Sequence, residues 1–167
     1  MDNLVSVYPA WPKTQHFLSE TRSAKIRRTY LVEKWCDFRY IFDELKTESL
    51  VSYIDKLQFL HQNISRANNR DGGWIVELEA IQCYFVGLRQ NWLCALTGDP
   101  LEFVRGGTNW NGKWCNPKSC TIDRIDPNRH YFEDNVQLVT WEANYVKNSL
   151  TMEELIQFSK KVLNKHG

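Results

Sequence analysis

The sequence predicts a mixed α+β protein, with a helical N-terminal half and a C-terminal half built on two strands and a following helix. Three observations predict it. Apolar residues recur at steps of three and four between about Arg22 and Gln90, the spacing of helices with one buried face. Between Cys120 and Lys147 the pattern shifts to short β-branched and alternating runs around Pro127-Asn128, then returns to helical spacing. No Pro-, Ser- or Gly-rich spacer separates Gln90 from Cys94, so the two regions, 1–89 and 90–167, are expected to pack on each other.

Composition bounds the answer. A chain of 167 residues holds one ample core or two small units. Hydrophobic residues at 43% and charged ones at 25% describe a globular chain rather than a disordered one. The net charge of +1 supplies no global pull on nucleic acid, so any DNA contact falls to a local patch. No run is long and apolar enough to cross a membrane, and MDNLVSVYPAWPK lacks a basic-then-apolar signal pattern. The five Cys are odd in number and scattered, which fits a reducing cytoplasm better than a disulfide framework.

Taken in order, Pro9 and Pro12 argue against a regular helix at the start. A helix is expected from about Arg22 to Lys46, with Ile26, Tyr30, Trp35, Phe38, Phe42 and Leu45 in its stripe. Arg22, Lys25, Arg27 and Arg28 cluster in its first turns; they are candidate DNA contacts, although a solvated face is the commoner reason for such a run. A second helix runs from about Glu48 to Arg66, and Asn68–Gly73 is a turn. A third is expected from Trp74 to Gln90, through Ile75, Leu78, Ile81 and Leu88. Arg105–Trp114 reads as a surface hairpin, or as a loop that covers a site. Thr121–Ile125 and Val136–Val139 are strands. From Thr140 a helix follows, with Ala143, Val146 and Leu150 at its spacing. The last helix opens on Thr151-Met-Glu-Glu154, a capping box, and carries Leu155, Ile156, Phe158, Val162 and Leu163 on one face.

The chemistry-bearing residues gather in Ile122-Asp-Arg-Ile-Asp-Pro127, Tyr131, Asn135-Val136, Ala143-Asn144 and Lys147, with Cys94-Ala-Leu-Thr-Gly98 upstream. This ordered set resembles the HNH (ββα-metal) nucleases, in particular small phage-type members with Asp-Arg-Ile-Asp. The likeness runs from about Gln90 to the C-terminus. It implies a ββα-metal domain, a DNA substrate and a bacterial, phage-associated setting. It also implies that Asp123 and Asn144 ligate Mg2+ or Mn2+, and that Asn135 ties the loop between the strands through hydrogen bonds. The chemistry gives a reason: a hard divalent ion prefers oxygen ligands and offsets charge on a phosphodiester. Some members of the family carry paired Cys-x-x-Cys zinc ligands. Cys94, Cys115 and Cys120 have neither that spacing nor a fourth partner, so structural Zn2+ is not expected.

Two residues depart from the family's usual motif, and one of them is His130, which stands where members usually have Gly before Tyr131. Arg124 stands where a His usually acts as general base, and an Arg stays protonated. Arg124 suits gripping a phosphate instead. His130, in the loop, is the first candidate for the base, with Asp126 and Tyr131 as alternatives. Lys147, at the end of the motif, is assigned to DNA contact. A regular strand sends Asp123 and Arg124 to opposite faces, so a shared site requires a twist or bulge near Asp126. The leading expectation is a metal-dependent endonuclease or nickase. The alternative is a catalytically weak or inactive module of the same fold that binds DNA or inhibits a protein.

Overall fold

Tyr53, Leu57, Leu60, Ile64 and Ala67 recur at three- and four-residue steps and are all buried, which makes Leu50–Asn68 a one-faced helix, α1. The computed structural model describes residues 50–69, 72–110 and 113–167. The proline-containing start, the expected Arg22–Lys46 helix and the basic cluster Arg22, Lys25, Arg27 and Arg28 lie outside these residues. Within them the fold is mixed α+β, with four α-helices. The other helices are α2 (Ala80–Arg89), α3 (Trp141–Lys147) and α4 (Met152–His166). Two antiparallel pairs supply the strands: β1 (Thr108–Trp110) with β2 (Lys113–Cys115), and β3 (Cys120–Arg124) with β4 (Val136–Thr140). Residues 49–167 form one compact unit, in which α1 lies against α2 and β3, and α2 against β4.

The core sits between α1, α2 and the β3–β4 pair. Tyr53 meets Tyr84 edge-on at 5.0 Å between ring centres, and Leu57, Leu60, Leu138 and Val139 are wholly buried. Each Leu so placed contributes about 1.5–3 kcal/mol of hydrophobic stabilisation. Polar side chains tie the helices to the strands. Gln90 treats Leu138 as a strand neighbour would, donating to its C=O at 2.7 Å and accepting from its N–H at 2.9 Å. Asn63 donates to the Cys120 carbonyl at 3.0 Å.

Beyond α2 the chain turns through Asn91 and Trp92, both at positive φ. Trp92 packs against Tyr84, Phe103 and the Gly87 backbone. A Cβ on Gly87 would stand 2.1 Å from the Trp92 ring, so only glycine admits the indole there.

Three expectations change. Residues 74–79 are extended rather than helical. Val76 forms a parallel bridge with Tyr131, and Tyr131 N–H and Glu77 N–H exchange 3.0 Å bonds with the Ile75 and Tyr131 carbonyls. Burial alternates accordingly, with Val76 and Leu78 inside and Ile75 and Glu77 outside. The helix therefore starts at Ala80, where the Glu79 N–H is met by Gln82 Oε1 at 2.7 Å. The helix after β4 stops at Lys147, since Asn148 takes φ 49° and its N–H closes on the Asn144 carbonyl. Its inner face is Ala143 and Lys147, and Val146 is exposed. Finally, α4 has the expected capping box, with Thr151 and Glu154 bonded to each other, but none of its residues is buried.

Candidate functional site

β3 and β4 pair residue for residue from Cys120↔Thr140 to Arg124↔Val136, without a bulge. The alternation of a regular strand therefore holds. Thr121 and Asp123 face α3, and Arg124 faces the other way. The candidates separate into two groups, one on each side of the strand.

The α3 side is closed and charged. Asp123 and Lys147 are 5% and 1% exposed. The Lys147 ammonium stands 3.2 Å from each carboxylate oxygen of Asp123 and donates to the Arg124 carbonyl at 2.9 Å. Gln137, directly across the ladder from Asp123, donates to its Oδ2 at 2.8 Å. Lys147 reaches this point because it lies one helical turn past Ala143, on the face that α3 turns to the strands. The expectation that Lys147 contacts DNA is thus corrected: its charge is spent inside, on Asp123. Asn144, also on the strand-facing side, donates to Thr121 Oγ1 at 3.0 Å and to the Ile122 carbonyl at 3.5 Å. Its Oδ1 accepts no hydrogen bond from the described residues.

The opposite side carries Cys120 and Ile122 into the core, and at its Arg124 end it is aromatic and half-buried. The Arg124 guanidinium stacks 3.5 Å from the centre of the Trp74 ring and 5.2 Å from that of Tyr131. One of its amino groups donates to the Arg129 carbonyl at 3.2 Å. His130 meets the same Trp74 edge-on at 5.7 Å and Phe132 at 6.0 Å. Trp74 thereby brings Arg124 and His130 to one place. His130 Nδ1 accepts the Ile75 N–H at 3.3 Å. Of the alternative bases, Asp126 accepts the Asn128 N–H through Oδ1, and Tyr131 is buried.

Asn135 closes the loop between the strands. It is 1% exposed, and its side chain uses three of its hydrogen-bonding positions: Oδ1 accepts the Asp126 N–H, and Nδ2 donates to the Asp126 and His130 carbonyls at 3.1 and 2.9 Å. The Asn135 C=O in turn accepts the Ile125 N–H at 2.9 Å. A buried amide so used is costly to replace, because truncation strands several backbone groups.

The cysteines lie elsewhere. Burial pushes the Cys83 thiol up to about 12 and raises Cys120 further, so both stay protonated small apolar groups. Burial also raises Cys94, but the Thr97 hydroxyl and the Thr140, Leu96 and Thr97 N–H groups outweigh it, leaving the thiol below its ordinary value. Among the described residues no three His, Cys, Asp or Glu side chains converge as a metal-binding group.

The donor set can now be tested against a divalent ion. Asp123 and Asn144 have the right atom type and lie on the same side of β3. The charge balance and the access do not fit. Asp123 is already offset by a buried ammonium, both its oxygens are bonded, and the pair is shut off from solvent. Sequence reasoning missed Gln137, Trp74 and the destination of Lys147. Counting back from the loop across a hairpin pairs Gln137 with Asp123 and was the available signal. Nothing local marks Trp74.

Comparison with protein-family models, with curated proteins and with solved structures returns no match for this chain. The class defined by fold and site is therefore a mixed α+β protein with a buried Asp–Lys pair on one side of a strand and a stacked Arg on the other.

Proposed function

We propose that the chain is an HNH-type module that acts on DNA by binding backbone phosphate, with metal-dependent cleavage weak or absent. One observation carries this reading: the buried Lys147–Asp123 pair puts a fixed cation where the resemblance would put a metal. Arg124 supplies the complementary half. Its guanidinium carbon lies 3.5 Å from the centre of the Trp74 ring, the side chain is partly exposed, and it keeps N–H groups beyond the one spent on Arg129. A planar, permanently charged fork of this kind suits a phosphate. With β3 regular, Arg124 and Asp123 address different sides, and His130 has no free lone pair at Nδ1.

The second reading is the full endonuclease or nickase, with Mg2+ or Mn2+ on Asp123 and Asn144. The open Oδ1 of Asn144, beside the strand that carries Asp123, favours it. Binding of a fluorescent DNA duplex in chelator, run beside plasmid cleavage with Mg2+ or Mn2+, separates the two. The first reading expects salt-dependent binding without metal. Arg124→Ala should weaken it about tenfold and lower the salt slope by about one. Robust metal-dependent nicking by wild type, abolished in Asp123→Asn while DNA binding persists, would establish the second reading instead. Absence of both binding and cleavage on single-stranded, duplex and branched DNA would reject both.

A further inference from the structure

The last helix carries a surface that neither reading uses. Around α4, helical spacing places Met152, Leu155, Ile156, Phe158, Ser159, Val162 and Leu163 on one continuous face. Phe158 and Leu163 are 60% and 65% exposed, and Ile156 and Val162 are exposed as well. Four large apolar side chains adjoining on a single helix are not the scattered exposure that a soluble surface tolerates. The helix itself is well made. Its N-terminus is closed by the Thr151–Glu154 box, and Glu153 and Glu154 in the first turn and Lys165 and His166 in the last complement the helix dipole.

We infer that this face pairs two copies of the chain, α4 against α4, in antiparallel orientation. The charge pattern selects both the partner and the direction. Acidic residues occupy only the start of α4 and Lys160, Lys161 and Lys165 only its second half. Against a second copy running the opposite way, the midpoint falls at Ser159. Glu154 and Lys165 lie about equally far from that point and on the same flank of the apolar face. A two-fold axis therefore sets Glu154 of each copy beside Lys165 of the other, and Glu153 on the other flank within reach of Lys160. A parallel pairing sets like charges side by side and is disfavoured. The centre suits close approach. Ser159 is the smallest side chain of the face, and its hydroxyl is already satisfied by the Leu155 carbonyl at 2.8 Å, so covering it strands no polar group. Leu155 then meets Leu163 of the other copy and Ile156 meets Val162, the reciprocal pairing an isologous interface requires.

Sedimentation velocity of the full chain over a wide concentration range tests this. The wild type should shift from monomer to dimer as concentration rises. The Phe158→Glu/Leu163→Glu variant should stay monomeric with unchanged far-ultraviolet circular dichroism. Glu154→Lys and Lys165→Glu should each weaken self-association at least tenfold, and an equimolar mixture of the two should recover it, because each flank then carries opposite charges again. Because Glu154→Lys also alters the helix cap, Glu153→Lys and Lys160→Glu provide a second pair for the same mixing experiment. A wild type that stays monomeric throughout overturns the inference, whether the face proves to be covered by another segment of the chain or to bind anionic vesicles. Dimerisation that persists in Phe158→Glu/Leu163→Glu overturns it too. Failure of both mixtures to recover association overturns the antiparallel orientation.

Discussion

The two helices that follow β4 invert the usual relation between polarity and burial. α3 is seven residues long, and its inner face buries a lysine. α4 is fifteen residues long, has an apolar stripe and a complete capping box, and has no buried residue, with only Met152 and Leu155 of the stripe half-buried. The difference is one of partners. α3 lies against β3, whose Asp123 supplies a counter-charge and whose Thr121 supplies an acceptor for Asn144. A charged side chain enters a core when the opposite charge and the remaining hydrogen bonds wait there. α4 brings no residue into the core, and Ile156, Phe158, Val162 and Leu163 of its stripe stay exposed. Amphipathicity records what a helix can bury; tertiary context decides whether it does.

Breaking the α3 side should give the largest effect. Lys147→Met removes the ammonium and leaves Asp123 charged and enclosed, which should cost about 3–5 kcal/mol in urea denaturation. Pairing it with Asp123→Leu removes the stranded charge. The double variant should then be more stable than Lys147→Met alone, although Gln137 and the Arg124 carbonyl lose their partners. A double-mutant cycle on the two positions should return a coupling of about 2 kcal/mol or more. If the two losses simply add, the pair does not hold α3 to β3.

What was legible here follows the range of the interactions. α1, β3, β4 and the Thr151 cap are written locally, in spacing, alternation and a four-residue box. Residues 74–79 were not legible, because Ile75, Val76 and Leu78 satisfy a helical and an alternating pattern at once. What selects the extended form is the backbone of Tyr131, far along the chain. Lys147 illustrates the same limit at the candidate site. Its spacing from Ala143 already put it on the inner face, yet a lysine reads as solvated until the strand that brings Asp123 is in place. The loop-tying role of Asn135 came from the family resemblance rather than from local pattern, and the residues it binds, Asp126 and His130, lie in its own loop.

The two helix starts sharpen the comparison at intermediate scale. Both α3 and α4 are capped by threonine. Thr140 accepts the Ala143 N–H at 3.3 Å and is fully buried beside Cys94, whose sulfur accepts the Thr140 N–H at 3.3 Å. Thr151 accepts the Glu154 N–H at 3.2 Å at the exposed start of α4. Replacing either threonine with alanine loses a cap, worth about 0.5–2 kcal/mol. Thr140→Ala should lie at the upper end, since it also leaves a small cavity in the core. Thr151→Ala should lie at the lower end, where water replaces the lost oxygen. Equal losses in denaturant titrations of the two variants would mean that burial adds nothing to the cap.

The smallest expected effect carries as much information as the largest. Phe158 is the bulkiest side chain of the α4 stripe, and in a core its loss would cost about 3–5 kcal/mol. Because it is 60% exposed, Phe158→Gln should change the monomer's unfolding free energy by no more than about 0.5 kcal/mol. Denaturation at a concentration low enough to keep the chain monomeric gives that number directly. Repeating it at high concentration gives the contrast. A dimer formed through α4 stabilises the wild type by mass action and leaves Phe158→Gln behind, so the gap between the two should widen with concentration. A gap that is large and independent of concentration would mean that Phe158 is already covered within one chain. The difference between α3 and α4 would then be one of which segment provides the cover, rather than of cover present and absent.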